Sequence, residues 1–334
     1  MRRIGLFVVV AFLFLAVVLA STWTALASFY RLPMPQSGRL AVAALFCFFG
    51  LLTLIALFTR LRWLVFVIFA ATFAAVLIWW STITPPVGVA FLPEDARQVT
   101  GKIEGDRLIL TDVRNFDWRT ATDHTEKWET RSYDLSKLRS VDLFMSYWAG
   151  PTMAHTMMSF GFEDGEQIAW SIEVRYPVGG SYSPIADAFK TDTLIVIAAD
   201  ERDVIGLRTN VRGEDVHLYR LKVSPEDVRA ILVGYVNDAN ALAAEPQFYN
   251  SITTNCTTAI VRILRLVGAK VPLDWRLLVN GYLPGYLYDQ QRVDTRLPLA
   301  ELRERSRINA RAKAFGLMPG FSAAIREGLP DPNK

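Results

Sequence analysis

The 334-residue sequence predicts an α+β protein held in a membrane by three N-terminal helices. Three observations lead there. The first 83 residues are almost wholly apolar and contain no Asp or Glu. Their apolar runs, at about 4–29, 40–58 and 63–83, each approach or exceed the roughly 20 residues needed to cross a bilayer. From residue 84 onward, short strand-like runs mix with helical ones, the pattern of an α+β domain.

Charge orients the helices. Arg2, Arg3, Arg60 and Arg62 lie on one side of the spans, Arg31 and Arg39 on the other. Basic residues favour the cytoplasmic face, so the N-terminus is expected inside and the C-terminal domain outside. In a bacterial cell that means an inner-membrane protein with a periplasmic domain. Trp79 and Trp80 suit the outer interface. A cleavable signal ending at Val18-Leu19-Ala20 is the alternative reading of the first run, and it leaves the domain on the same side. Six of the 36 Lys and Arg fall in the membrane part, leaving 30 against 33 Asp and Glu. That balance gives no footprint for nucleic acid.

The chain divides into residues 1–83 (spans), 84–114 (linker and small β region) and 115–334 (main domain). Thr84-Pro85-Pro86 ends the third helix. Glu104-Gly105-Asp106 signals a hairpin within the small β region. Residues 115–133 are polar and aromatic, a loop or edge ribbon, and 134–141 offer a helical turn. Residues 154–162 and 167–176 read as strands flanking the turn sequence Glu163-Asp164-Gly165-Glu166. The apolar run 193–199 fits a buried strand, and 216–223 alternates like another. Ser224-Pro225-Glu226-Asp227 opens a helix to about Ala243, with Ser224 as N-cap and Val228, Ile231, Leu232 and Tyr235 facing the core. A further helix starts at Cys256, and 299–314 form a charged helical stretch.

Cys256 is the candidate nucleophile. It stands where a polar loop enters an amphipathic helix, and a helix N-terminus favours a thiolate. The other cysteine, Cys47, lies in a membrane span and cannot pair with it. A lone thiol in an oxidising compartment is either buried or used. Of the three histidines, His124 sits in a polar loop and His217 on an alternating strand, whereas His155 begins the clearest strand and is the candidate base. A four-residue turn would set Val174 opposite His155; a one-residue bulge would set Glu173 there, as the carboxylate orienting the ring. Asn255, with Tyr249 and Asn250 just upstream, is a candidate for oxyanion or substrate contacts, and Asn255 is equally suited to cap the helix or close the loop. Asp203 and Arg208 read as a structural ion pair fixing a loop. No zinc spacing and no phosphate-cradling loop is present, so neither metal nor cofactor is expected.

The segments LRSVDLFMSYWAGPTMAHTMMSFGFEDGEQIAWSIEVR, ADERDVIGLRTNVRGEDVHLYRL and FYNSITTNCTTAIVRIL resemble the Lnb N-terminal periplasmic domain family, over about residue 115 to the C-terminus. That family includes bacterial lipoprotein N-acyltransferases. The resemblance implies a permuted papain-like thiol fold, similar to lecithin:retinol acyltransferase and NlpC-like proteins, with histidine before cysteine. It puts the family's histidine on His155, its cysteine on Cys256 and Glu173 in the motif SIEVR. The family's acyltransferases carry their membrane helices after the periplasmic domain, whereas here three precede it. The expected function is therefore thiol acyl transfer or hydrolysis through a Cys256 acyl-enzyme, on lipid or lipoprotein acyl substrates at the membrane. The alternatives are a cysteine peptidase or peptidoglycan amidase on the same fold, and a non-catalytic envelope binding module.

Overall fold

A computed structural model describes residues 2–181, 183–266 and 268–333. The chain folds as two units, residues 1–87 with 182–192, and residues 88–181 with 193–334.

The first unit holds the helices α1 (Arg2–Arg31), α2 (Gln36–Ala56) and α3 (Arg62–Ser81). Each is long and apolar enough to cross a membrane, over Val8–Arg31, Gln36–Ala56 and Arg62–Ser81. Gly50 permits a close approach in this bundle, since a Cβ there would lie 2.1 Å from Ser21 Oγ. The segment 182–192, with the one-turn helix α4 (Pro184–Asp187), belongs to the same unit. Phe189 lies among Trp23, Tyr30 and Trp80, and Lys190 Nζ donates to the Trp80 carbonyl at 2.8 Å.

The second unit is built on strands β1 (Thr100–Glu104), β2 (Arg107–Arg114), β5 (Trp128–Asp134), β6 (Leu138–Tyr147), β7 (His155–Phe162), β8 (Gln167–Arg175), β9 (Thr193–Ala199) and β10 (Asp215–Arg220). The short strands β3 (Asp117–Trp118) and β4 (His124–Thr125) form a separate ladder. The main sheet runs β1-β2-β9-β8-β7-β6-β10, with β5 also paired to β2. All its pairings are antiparallel except β2 with β9. The small β region read at 84–114 thus supplies the strands β1 and β2 of this sheet.

Both faces of the sheet are covered, which is why 194–199 is apolar at every position. Leu194, Val196 and Ala198 join one core with α6 (Pro225–Ala244) and α7 (Cys256–Leu266). Ile195, Ile197 and Ala199 join the other, with Ile308, Ala312, Phe321 and Ile325 from the C-terminal region. Ser224 caps α6 by accepting from Asp227 N, and Val228, Ile231, Leu232 and Tyr235 are buried as their spacing requires. Two stretches differ from the sequence reading. The helical turn expected at 134–141 is present as a 3-10 turn, Leu135–Lys137, but it is shorter, because β6 already begins at Leu138. The charged stretch 299–314 breaks at Arg307 into Leu299–Ser306 and Asn309–Phe315.

Candidate active site

The hairpin β7–β8 fixes the first two residues of the site. Its ladder pairs Met157 with Ser171 and Gly161 with Gln167, and Phe162 N donates to Glu166 O. The loop is therefore three residues, Glu163 to Gly165, with Gly165 at φ +87°. A four-residue turn would have set Val174 opposite His155. The one-residue offset sets Glu173 there instead, and β7 and β8 separate beyond Met157 and Ser171.

His155 Nε2 lies 2.7 Å from Ser171 Oγ and 3.2 Å from Glu173 Oε1. Ser171 donates its own hydroxyl proton to Glu173 Oε1 at 2.6 Å, so it accepts from Nε2–H. Nε2 therefore carries a proton, and Nδ1 is the ring nitrogen left for the thiol. Glu173 Oε1 also accepts from Arg208 Nη2 at 2.7 Å. Although burial pushes the Glu173 carboxyl up, His155 and Arg208 hold it well below the usual carboxylate range. Burial works against a charged imidazole at His155, and so does Arg208, but Glu173 together with the hydrogen bond and charge of Cys256 outweighs them and raises the ring to about 9.

The third residue comes from α7. Asn255 caps this helix: its Oδ1 accepts from Thr258 N at 2.9 Å, and its amide donates to Ser251 O at 2.8 Å. Asn250 Oδ1 accepts from the Ile252 and Thr253 amides and closes the preceding turn. Tyr249 packs against the core. Asn250 and Asn255 therefore shape the turn that leads into Cys256, and the Asn255 amide expected at an oxyanion is engaged within its own loop. Cys256 is 6% exposed. Burial pushes its thiol up, but a hydrogen bond to His155, the imidazolium charge, and the hydroxyl and backbone N–H of Thr156 lower it to about 7. Between those two values the favoured state is thiolate beside imidazolium.

Several contributors were not legible as such in the sequence. Arg208 does not pair with Asp203. Asp203 instead accepts from Arg114 at 3.0 Å, from Trp118 Nε1 at 2.7 Å and from Phe116 N at 2.8 Å, fully buried. The supposed loop is helical, α5 (Glu201–Gly206) followed by a π-helical turn, Leu207–Arg212, which carries Arg208 to Glu173. Asn280 was also missed. Its amide clamps both backbone groups of Ala154, at 2.9 and 2.6 Å, and donates to Thr257 Oγ1 at 2.7 Å. It thus ties the residue before His155 to the residue after Cys256. Gly281 follows because no larger residue fits: a Cβ there would lie 2.1 Å from Pro151 O. A sharp Asn-Gly pair far from any hairpin was the available signal.

Behind α7 lies a cavity of about 370 Å³, walled mainly by Leu143, Met158, Ile260, Leu264 and Leu283, with Thr257 in its lining. Among the described residues no cluster of His, Cys, Asp and Glu suits a metal ion.

No curated protein and no solved structure matches the chain. Residues 124–281, which take in His155, Glu173, Arg208, Cys256 and Asn280, match the family model of the Lnb N-terminal periplasmic domain, so the chain is a membrane protein with a periplasmic domain.

Proposed function

We propose that this protein is a cell-envelope thiol enzyme that transfers or hydrolyses acyl groups through a thioester on Cys256, with its N-terminus in the cytoplasm. The observation that carries the reading is the setting of Cys256 beside His155, whose ring is held by Ser171 and Glu173; these surroundings lower the thiol to about 7 and, through Glu173 and Cys256, raise the imidazole to about 9. A cysteine that only packed would keep the raised thiol that burial produces. The meeting of a helix-borne cysteine with a strand-borne histidine also suits the permuted papain-like arrangement.

In the reaction, the Cys256 thiolate attacks the carbonyl carbon of an ester or amide, forming a C–S bond. The tetrahedral oxyanion collapses, the C–O or C–N bond breaks, and the imidazolium of His155 protonates the leaving group. An amine or water then attacks the thioester while neutral His155 takes its proton, and the thiolate leaves as the imidazolium is restored. Ser171 and Glu173 keep the ring turned so that Nδ1 faces the sulfur.

An acyl rather than peptide substrate is favoured by the apolar cavity beside Thr257, whose volume is in the range of about 300–1,000 Å³ usual for small-molecule sites. The test is turnover of acyl esters by the full chain in detergent. Cys256→Ala should leave the protein folded and inserted but without turnover; retained turnover would remove Cys256 as nucleophile. Release of cell-wall peptides by the wild type, with no acyl turnover, would favour the amidase reading.

A further inference from the structure

The helix that begins at Cys256 ends in an apolar surface that nothing in the unit covers. Leu266, Leu273, Leu278 and Trp275 are 72%, 89%, 69% and 59% exposed. Leu266 closes α7, and the other three follow in the loop and 3-10 turn after it. All four line one groove of about 730 Å³, in which Arg262 and Arg265 also stand. Large aliphatic side chains at this exposure are ordinary when scattered, but a contiguous group marks an interaction site. Arg262, which also pairs with Asp238, and Arg265 are exposed in this groove, and the one carboxylate in the lining, Asp274, is paired with Arg276.

We infer that this surface docks on the bilayer, with the leucines and Trp275 seated at the level of the headgroups and upper acyl chains. Apolar residues with an interfacial tryptophan and arginines at their edge are the composition of a surface that lies in a membrane interface. The arginines meet lipid phosphates there. The three spans of the same chain keep a bilayer at high effective concentration, so a modest patch suffices. Val261 and Leu277 line both this groove and the cavity that reaches Thr257. A docked surface therefore opens toward the candidate site from the lipid side. The docking itself does not depend on the thiol chemistry.

The test uses the full chain with Cys47→Ala and Cys256→Ser, reconstituted in vesicles of phosphatidylcholine and phosphatidylglycerol. A single cysteine is introduced as Leu273→Cys, or separately as Leu278→Cys, and labelled with an environment-sensitive fluorophore. The comparison is Asp164→Cys, in the turn at the other end of the β7–β8 hairpin. Both substituted leucines are exposed, so the fold tolerates the change. Seating at the interface predicts blue-shifted emission at 273 and 278, and quenching by lipids spin-labelled high on the acyl chain that exceeds the quenching at 164 by roughly twofold or more. Quenching no greater than at 164 overturns the proposal. So does label self-quenching that rises with protein density without any lipid quenching, which would assign the surface to a second copy of the chain.

Discussion

Removing His155 should displace the titration of Cys256 upward by about two pH units. In the wild type the thiol stands at about 7 against an ordinary 9.0, although burial alone would raise it. The difference of about two units corresponds to about 2.7 kcal/mol favouring the thiolate. His155→Ala deletes the hydrogen bond and the positive charge but leaves the burial, which raises the thiol, and the Thr156 donors, which lower it, so the thiol should rise back toward 9. At pH 7 the thiolate fraction then falls from about a half to about 1%. A more basic thiolate is also the better nucleophile, by about eightfold for two units at a Brønsted slope of about 0.45. The net loss of alkylation rate at pH 7 is thus only about sixfold, and above about pH 8.2 the variant should overtake the wild type. The informative quantity is the midpoint. The assay is alkylation rate against pH in full chains carrying Cys47→Ala. The sign follows from the two groups: the thiolate persists above about 7 and the imidazolium below about 9, so the ion pair occupies the window between. Wild type should show an inflection near 7 and a second change near 9; the variant should show one inflection, near 9. A midpoint near 7 that survives the substitution, or a wild type that titrates at 9 or higher, would refute the electrostatic argument.

If the cavity beside Thr257 takes the acyl chain, kcat/KM for a series of acyl esters should rise with chain length by up to about fourfold per methylene, from about 0.8 kcal/mol of burial each. Leu264→Trp, which narrows that cavity, should flatten the series while sparing the shortest ester. Asn280→Ala should lower kcat by about 100-fold with little change in the Cys256 titration midpoint, because it loosens the alignment of strand and helix without removing a charge; an unchanged kcat would discount the clamp. Asp95 is buried, and its carboxyl is pushed up to about 7, first by desolvation and then by Glu173. A raised acid stabilises the fold below its unfolded value and loses that contribution as pH climbs through 7. Asp95→Asn should therefore raise the apparent Tm more at pH 8 than at pH 5, and an equal gain at both would count against this linkage.

What the sequence disclosed, it disclosed through local chemistry. Ser224-Pro225 announced α6 because an N-cap and a first-turn proline act within four residues. The run 193–199 announced a strand buried on both faces because apolar residues with no alternation leave no solvent side. The three spans were legible from length and charge alone. Choosing His155 over His124 and His217 was also a local judgement, resting on small and apolar neighbours. By contrast, Glu173 hung on one residue of register, and the three-residue loop at Gly165 decided it. Arg208 was paired in sequence with the wrong partner because Asp203 is nearby, whereas a π-helical turn swings the guanidinium to another strand. Asn255 looked like a catalytic amide because it precedes the cysteine; capping the helix was the competing use of the same side chain. Asn280 acts across more than 120 residues; the Asn-Gly pair marks a constrained turn but not the strand that it holds.

The central claim is that Cys256 accepts an acyl group, and intact mass tests it most directly. The full chain with Cys47→Ala is mixed with an activated medium-chain acyl ester at pH 8, within the ion-pair window, and quenched in acid within the first turnover. The account predicts one added acyl mass, mapped to Cys256, released by hydroxylamine and absent from Cys256→Ser. An unmodified Cys256 under conditions where the ester is turned over, or an adduct carried by another residue, would contradict it.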